Sequence, residues 1–407
     1  MNKTMAARTG FLCLFLTVPS FAAVSDGGLF TPSSAKAAVQ SDEIGVTRSR
    51  AVRVDFERFA VSAGKAAGSE LRLNLFPDAS FTAVLDRVAF ETADSVSWVG
   101  HLKGMTETHV ALVAGGGSLV GSVVLPGAAY RIRSTPKGFH VVEQLDLSAF
   151  PEGAEPLEVE ETAVRRPRRP GRGTKADDGS VIDLLVVYTP AARSAAGGRQ
   201  KIENLIALGV TETNTAFTNS GIQTRLRLVH RAEIQYTEST ERIGIDLQRL
   251  RITDDGYMDS VHALRNHYKA DLVMLVGNSA VNACGVAYVM STIGPAFESS
   301  AFSYIARQCI SPTYGFGHEL AHNMGSDHAP DDAIGPAAYP YSYGYKDPLF
   351  RFRTMMAYPC TQPCTRILRF SNPRIPYNGR PTGTALQDNA QSINNVRQTV
   401  ANFRASQ

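Results

Sequence analysis

Two rhythms of apolar and polar residues divide the chain. From about Val24 to Leu157, short runs alternate, as in Glu70-Leu71-Arg72-Leu73-Asn74-Leu75 and Thr108-His109-Val110-Ala111-Leu112-Val113. That two-residue period predicts half-buried strands, and Gly115-Gly116-Gly117 is a turn signal between them. From about residue 178 the pattern changes. Val181-Ile182-Asp183-Leu184-Leu185-Val186-Val187-Tyr188 is nearly continuous, as expected of a strand buried on both faces, and Thr189-Pro190 ends it. Ile202, Leu205, Ile206 and Val210 recur at helical spacing and predict a long helix reaching Asn219. Gln223 to Val229 alternates again, with Leu226 and Leu228 facing one way and Arg225 and Arg227 the other. A helical stretch is predicted over Asp246 to Lys269, then a buried strand over Asp271 to Val276. Cys284 to Met290 reads as a short strand bounded by turn residues. Ser299 to Arg307 reads as the last strand before a helix beginning near Thr313. Asn389 to Ala405 reads as a closing helix with Ile393, Val396, Val400 and Phe403 on one face. The first half is thus β-rich, and the second half has the strand–helix alternation of an α/β sheet backed by helices.

Composition alters this picture little. The chain has 407 residues, 43% hydrophobic and 19% charged, which describes ordinary globular domains. A net charge of +3 does not imply nucleic acid. The ends and the join carry more. Lys3 and Arg8 precede an apolar run from Phe11 to Val18 and small residues around Ser20 and Ala22, so residues 1–22 read as a secretory signal, too short in its apolar part to span a bilayer. An acidic stretch from Glu152 to Glu161 runs into Arg165-Arg166-Pro167-Arg168-Arg169-Pro170-Gly171-Arg172-Gly173. Such a run is also the composition of a nucleic-acid patch. Between two globular stretches of an exported chain it reads as a processing linker, over 158–177, which makes residues 23–157 a propeptide and 178–407 the working domain. Four cysteines remain once Cys13 leaves with the signal, an even number that favours two disulfides, expected as Cys284 with Cys309 and Cys360 with Cys364.

The chemistry concentrates in His318-Glu319-Leu320-Ala321-His322-Asn323-Met324-Gly325-Ser326-Asp327-His328. Four residues apart on a helix, His318 and His322 stand one above the other and reach a single ion. Gly325 can adopt the left-handed backbone that ends a helix, turning the chain so that His328 approaches as a third ligand. Three imidazoles suit one Zn2+ ion and leave a position open, the arrangement of a catalytic rather than a structural site. Glu319, beside them, is the expected general base. His101, His109 and His140 are too scattered to be ligands, and His262 and His267 lie five apart, off a common helical face.

This string resembles the zinc signature of the metzincin metalloproteases, of reprolysin or adamalysin type, whose second hallmark is a Met-turn downstream. Arg353-Thr354-Met355-Met356-Ala357-Tyr358-Pro359 offers one, with Met356 as the apolar floor, Met355 as its rival, and Tyr358 similar to the tyrosine that some metzincins use at the oxyanion. The resemblance implies an α/β (α+β) catalytic domain with a twisted mixed sheet and a zinc helix, preceded by the β-rich propeptide. It also implies that the Cys284 to Met290 strand pairs with extended substrate. The opening Ile182 to Pro190 and the segment Phe370-Ser371-Asn372-Pro373 look most like the secreted bacterial peptidyl-Asp metalloendopeptidases. That likeness implies cleavage on the amino side of aspartate, hence a basic pocket, for which Arg351, Arg353, Arg366 and Arg369 are the candidates. Ala329 departs from the adamalysin pattern of Asp after the third histidine. No cysteine lies between residues 14 and 283, so the usual cysteine switch is missing and a carboxylate, Asp78 for one, is expected to silence the zymogen. The expected partners are protein or peptide substrates and the chain's own propeptide as inhibitor, with no nucleic acid, no membrane after signal removal, and a monomeric state. The competing expectation is a secreted zinc-containing binding protein without catalysis, against which the presence of Glu319 speaks.

Overall fold

The computed structural model describes residues 27–33, 43–135, 137–159, 176–349 and 351–404, so the signal over 1–22 and the basic run over 165–173 lie outside the described residues. No helix among the described residues is long and apolar enough to cross a membrane.

The first unit is an antiparallel sheet of nine strands: β1 (Phe30–Pro32), β2 (Val46–Val54), β3 (Glu70–Phe76), β4 (Ala79–Thr92), β5 (Ser95–Leu102), β6 (His109–Gly115), β7 (Ser118–Leu125), β8 (Ala128–Ser134) and β9 (His140–Leu145). They lie in the order β1-β2-β9-β8-β7-β6-β5-β4-β3. The sheet curls until its two edges meet. The Leu29 N–H donates to the Arg72 carbonyl at 2.8 Å, and the Asn74 amide brackets Phe30, accepting from its N–H at 2.9 Å and donating to its carbonyl at 2.6 Å. The enclosed side packs Leu73, Leu75, Trp98, Leu112 and Val142, and α1 (Phe56–Ala63) covers it, with Ser62 accepting from the Trp98 indole at 3.0 Å.

The second unit opens with β10 (Val181–Tyr188), buried on both faces as its composition predicts. Thr189 then caps α2 (Pro190–Ala196) by accepting from the Ala192 N–H, with Pro190 at the first helical position. After α3 (Arg199–Asn219), β11 (Arg225–Glu233), α4 (Ile243–Arg251), α5 (Ser260–Tyr268), β12 (Leu272–Gly277), β13 (Gly285–Ala287), β14 (Phe302–Ala306), α6 (Gly315–Asn323) and α7 (Asn389–Val400) complete it. The sheet order is β11-β10-β12-β14-β13, parallel except for the antiparallel edge strand β13. One expected element divides: the helix predicted over Asp246 to Lys269 is two helices. Asp254, Gly256 and Met258 take positive φ between them, a conformation that a continuous helix excludes. Both expected disulfides are formed, Cys284 to Cys309 and Cys360 to Cys364.

The two units meet along several patches, among them the Glu43–Arg307 ion pair, and two of these patches bear on the site. The outer face of β6 and β7 lies on α3, where Ala111, Val113 and Val120 pack against Ala207 and Leu208. Glu212 on α3 accepts from Ser122 of β7 at 2.6 Å and from Ser311 at 2.7 Å. The second contact is a strap, residues 151–159, that leaves the first unit and runs along β13. The Cys284 N–H donates to Glu152 O (2.9 Å), Ala154 N–H to Gly285 O (2.7 Å), Leu157 N–H to Ala287 O (2.8 Å) and Val289 N–H to Leu157 O (3.1 Å). Residue numbers rise together along both, so the strap is a parallel sixth strand on the sheet edge.

Candidate metal centre and cleft

α6 presents His318 and His322, and its end is built to bring in His328. Gly325 takes φ +78°, its N–H donates to His322 O at 2.9 Å, and a Cβ there would meet that of Ala338. The three rings converge. His318 Nε2 is 3.2 Å from His328 Nε2 and 3.3 Å from His322 Nε2. Tetrahedral bonds of about 2.0–2.1 Å to one ion would place ligand nitrogens roughly 3.3–3.4 Å apart, so the spacing fits a metal. The outer nitrogens confirm which face is free. His318 Nδ1 lies 2.8 Å from Met355 O and His322 Nδ1 2.9 Å from Ser326 O. A carbonyl only accepts, so both Nδ1 atoms carry protons and both Nε2 lone pairs point inward. Burial keeps the rings neutral, lowering His322 to about 4 and His328 to about 2.

Glu319 is buried beside this cluster, and its Oε2 has no hydrogen-bond partner. Burial pushes its carboxyl well above the usual range, as expected of an acid in a dry site. An unpartnered buried carboxylate oxygen next to three converging imidazoles is a donor set that fits a metal ion and a water beside it. The neighbouring glycine is required: a Cβ at Gly285 would lie 2.5 Å from Glu319 Oε1. Gly317 similarly leaves room for the Met355 side chain. Neither glycine stands out in the sequence, since its purpose is a clearance between segments far apart in the chain.

Met355 and Met356 are both fully buried in the main core, and the Met355 carbonyl orients His318. The Tyr358 ring centroid stands 4.1 Å from that of His328, while its hydroxyl donates to Gly153 O at 2.7 Å. The remaining histidines are placed elsewhere: His101 pairs with Asp86, His109 packs on the Tyr314 ring, His140 accepts from the Leu119 N–H, His230 stacks on the Tyr268 ring, His262 faces Ile252 O and His267 lies against Tyr268.

The four arginines part company. Arg353 and Arg366 face each other across a two-residue parallel ladder, Phe352–Arg353 with Thr365–Arg366, whose connecting loop is clipped by Cys360–Cys364. Both are nearly buried and both grip the Met-turn, Arg353 Nη1 donating to Ala357 O at 2.7 Å and Arg366 Nη2 to the same carbonyl at 3.4 Å, while Arg366 Nη1 donates to Thr313 O at 3.2 Å. Arg351 lines the outer cleft with an exposed side chain. Arg369 lies outside the cleft, donating to Asn219 O and pairing with Glu107 at 3.7 Å. Asp78 is also remote. It is 66% exposed on the first unit, bound to Arg48 at 2.8 Å, and so does not approach the histidines.

The residues that do approach them come from the strap. Glu152 receives Arg353 Nη2 at 2.9 Å, Arg353 Nη1 at 3.2 Å and Arg366 Nη2 at 3.2 Å. Burial opposes its charge, but Arg366 and then Arg353 prevail and hold it below the usual carboxylate range. A Cβ at Gly153 would lie 3.0 Å from Glu319 Oε1 and 3.4 Å from His318 Nε2, so the strap backbone lies directly over the cluster. Glu155 stands 3.5 Å from His328 Nδ1. In the sequence these residues belong to an acidic stretch with no sign of its destination.

The reprolysin-type profile of metallo-peptidase family M12 matches residues 178–371. The peptidyl-Asp metalloendopeptidase of Xanthomonas campestris pv. campestris is 32% identical over 428 residues, covering 99% of this chain and 100% of that one. The protein of the same name from Stenotrophomonas maltophilia is 37% identical over 305 residues, covering 72% of this chain and 70% of that one. Among solved structures, metalloproteinase-II from Bacteroides fragilis superposes over 67% of this chain and 85% of that one, with a TM-score of 0.43 and 10% identity.

Proposed function

Because the chain belongs to the metzincin-like metallopeptidases of family M12 and is a metalloendopeptidase, we propose that it is exported as a zymogen, holds one zinc ion on His318, His322 and His328, and cleaves peptides before aspartate with Glu319 as general base. The observation that carries this reading is the convergence of three inward Nε2 atoms beside the unpartnered Glu319 Oε2. Zinc, when bound, supplies Lewis acidity toward a scissile carbonyl and a water. Glu319 takes a proton from the attacking water and returns it to the leaving amine, its buried carboxylate being within the same dry pocket. Tyr358, once its hydroxyl is free of Gly153, donates toward the developing oxyanion. His318 and His322 are held in register by their carbonyl partners, which keeps Nε2 unprotonated through the cycle. The relatives' name supports aspartate as the preferred residue, and the paired Arg353 and Arg366 are suited to receive it. The two disulfides support an oxidising compartment, in keeping with the signal over 1–22. The strap across the cleft supports the first unit as an inhibitory propeptide.

The processed chain and its Glu319→Ala variant, incubated with a proteome-derived peptide mixture, test this directly by mass spectrometry of new termini. Cuts concentrated before Asp and absent with the variant are expected. Cuts spread before apolar residues would remove the aspartate preference, and an absence of cuts with metal bound would remove the activity from this site.

A further inference from the structure

Arg353 and Arg366 are Cα partners on adjacent strands, an arrangement that costs stability when two like charges face each other without a counter-ion. They are nonetheless buried, and the Nε of each has no partner. A pair of guanidiniums kept this way, fixed by carbonyls of Ala357 and Thr313 and backed by a disulfide-clipped loop, is a preformed receptor for one carboxylate. In the intact chain Glu152 fills it, accepting two hydrogen bonds from Arg353 and ion-pairing with Arg366 at 3.2 Å.

The direction of the strap decides what that occupancy means. A substrate cut before its acidic residue must place the residue preceding the acid over the metal ligands. Here Gly153, the residue that follows the acid, lies there instead. The strap therefore enters the receptor with its chain reversed, and the bond on the amino side of Glu152 is not the one presented to Glu319. Tyr358 is committed at the same time, because its hydroxyl donates to the Gly153 carbonyl.

We propose that Arg353 and Arg366 are the two specificity-determining residues that read the acidic side chain of a substrate, and that Glu152 silences the uncut chain by occupying this receptor as a reversed, uncleavable substrate mimic. The proposal rests on the reading of cleavage before aspartate, and a single set of variants separates the two. In the full-length chain carrying Glu319→Ala, which prevents self-cleavage, Glu152→Gln, Glu152→Asp and Arg366→Met are compared by hydrogen exchange. Glu152→Gln keeps the size of the side chain and removes its charge. It is expected to raise exchange of the Cys284 and Val289 amides about tenfold or more, with β10 and β12 unchanged as the control on folding. Glu152→Asp is expected to keep most of the protection. Combining Glu152→Gln with Arg366→Met is expected to add little to either alone, the signature of one shared contact. Protection unchanged by Glu152→Gln, or additive effects in the double variant, would overturn the occupancy even where peptides are still cut before Asp. Exchange that rises as expected while the processed chain cuts before apolar residues would leave Glu152 as a latch and overturn the assignment of Arg353 and Arg366 as substrate readers.

Discussion

Two of the contacts between the first unit and the second are made of different chemistry. On α3 the contact is Ala111, Val113 and Val120 against Ala207 and Leu208, with hydroxyls and one buried acid among them. In the cleft it is carboxylate against guanidinium and backbone against backbone. Apolar packing is non-directional and holds surfaces together without selecting among them. Charge-assisted hydrogen bonds depend on angle and position, so they discriminate. The broad face on α3 is thus suited to holding the first unit in place, and the narrow strap to selecting what it pairs with.

The largest effect should fall on chemistry and spare both contacts. Glu319→Gln is expected to lower turnover of a peptide substrate by about 10²–10⁴-fold while metal content is retained. Loss of metal with the activity would place the residue in holding the site rather than in proton transfer. Next, Arg366→Met should disturb the cleft alone. Truncating one member of a buried charge pair costs roughly 2–5 kcal/mol, so preference for Asp over an apolar residue at the cleavage point should fall about thirtyfold or more, measured as a ratio of kcat/KM values. The α3 contact has its own handle. Burial raises the Glu212 carboxyl to about 7, with Ser122 and Ser311 opposing. Its folded value lies above its ordinary 4.5, so the native state binds the proton more tightly and stability is lost as pH rises from about 4.5 to about 7, by up to about 3 kcal/mol. Chemical denaturation of the intact chain across that range should show the decline, and Glu212→Gln should flatten it. A slope unchanged in Glu212→Gln would assign the pH dependence to other groups. Smallest is the clip behind the receptor: replacing Cys360 and Cys364 by serine closes no long loop and is expected to cost about 2 kcal/mol of stability, with a larger fractional loss in Asp preference than in activity on apolar substrates.

The legibility of this molecule in its sequence followed the range of the interactions. β10 was readable to the residue because a strand buried on both faces must be apolar throughout. The three ligands were readable because helix period and one left-handed glycine bring them together within eleven residues. The second face of α3 was hidden. Ala207, Leu208, Thr211 and Glu212 look like the indifferent side of an amphipathic helix, and only a second sheet arriving from residues 109–125 buries them. Glu152 was hidden for a similar reason. Within an acidic run it reads as solvated charge, and its meaning depends on two arginines about two hundred positions away. The choice of Asp78 as the silencing acid failed on the same ground, since proximity to the metal ligands is a property of the fold and not of a local string.

The strap is continuous at its amino end with a sheet that is itself seated on α3. A break anywhere in 160–175 frees one end only. The strap would then still be a short tethered ligand, whose effective concentration at the cleft is of the order of millimolar. On the proposed silencing by Glu152, any grip tighter than that concentration would keep a chain cut once closed. Opening would take a second event, either a cut between the sheet and Glu152 or departure of the whole sheet from α3. Such an enzyme would respond to two coincident signals rather than one.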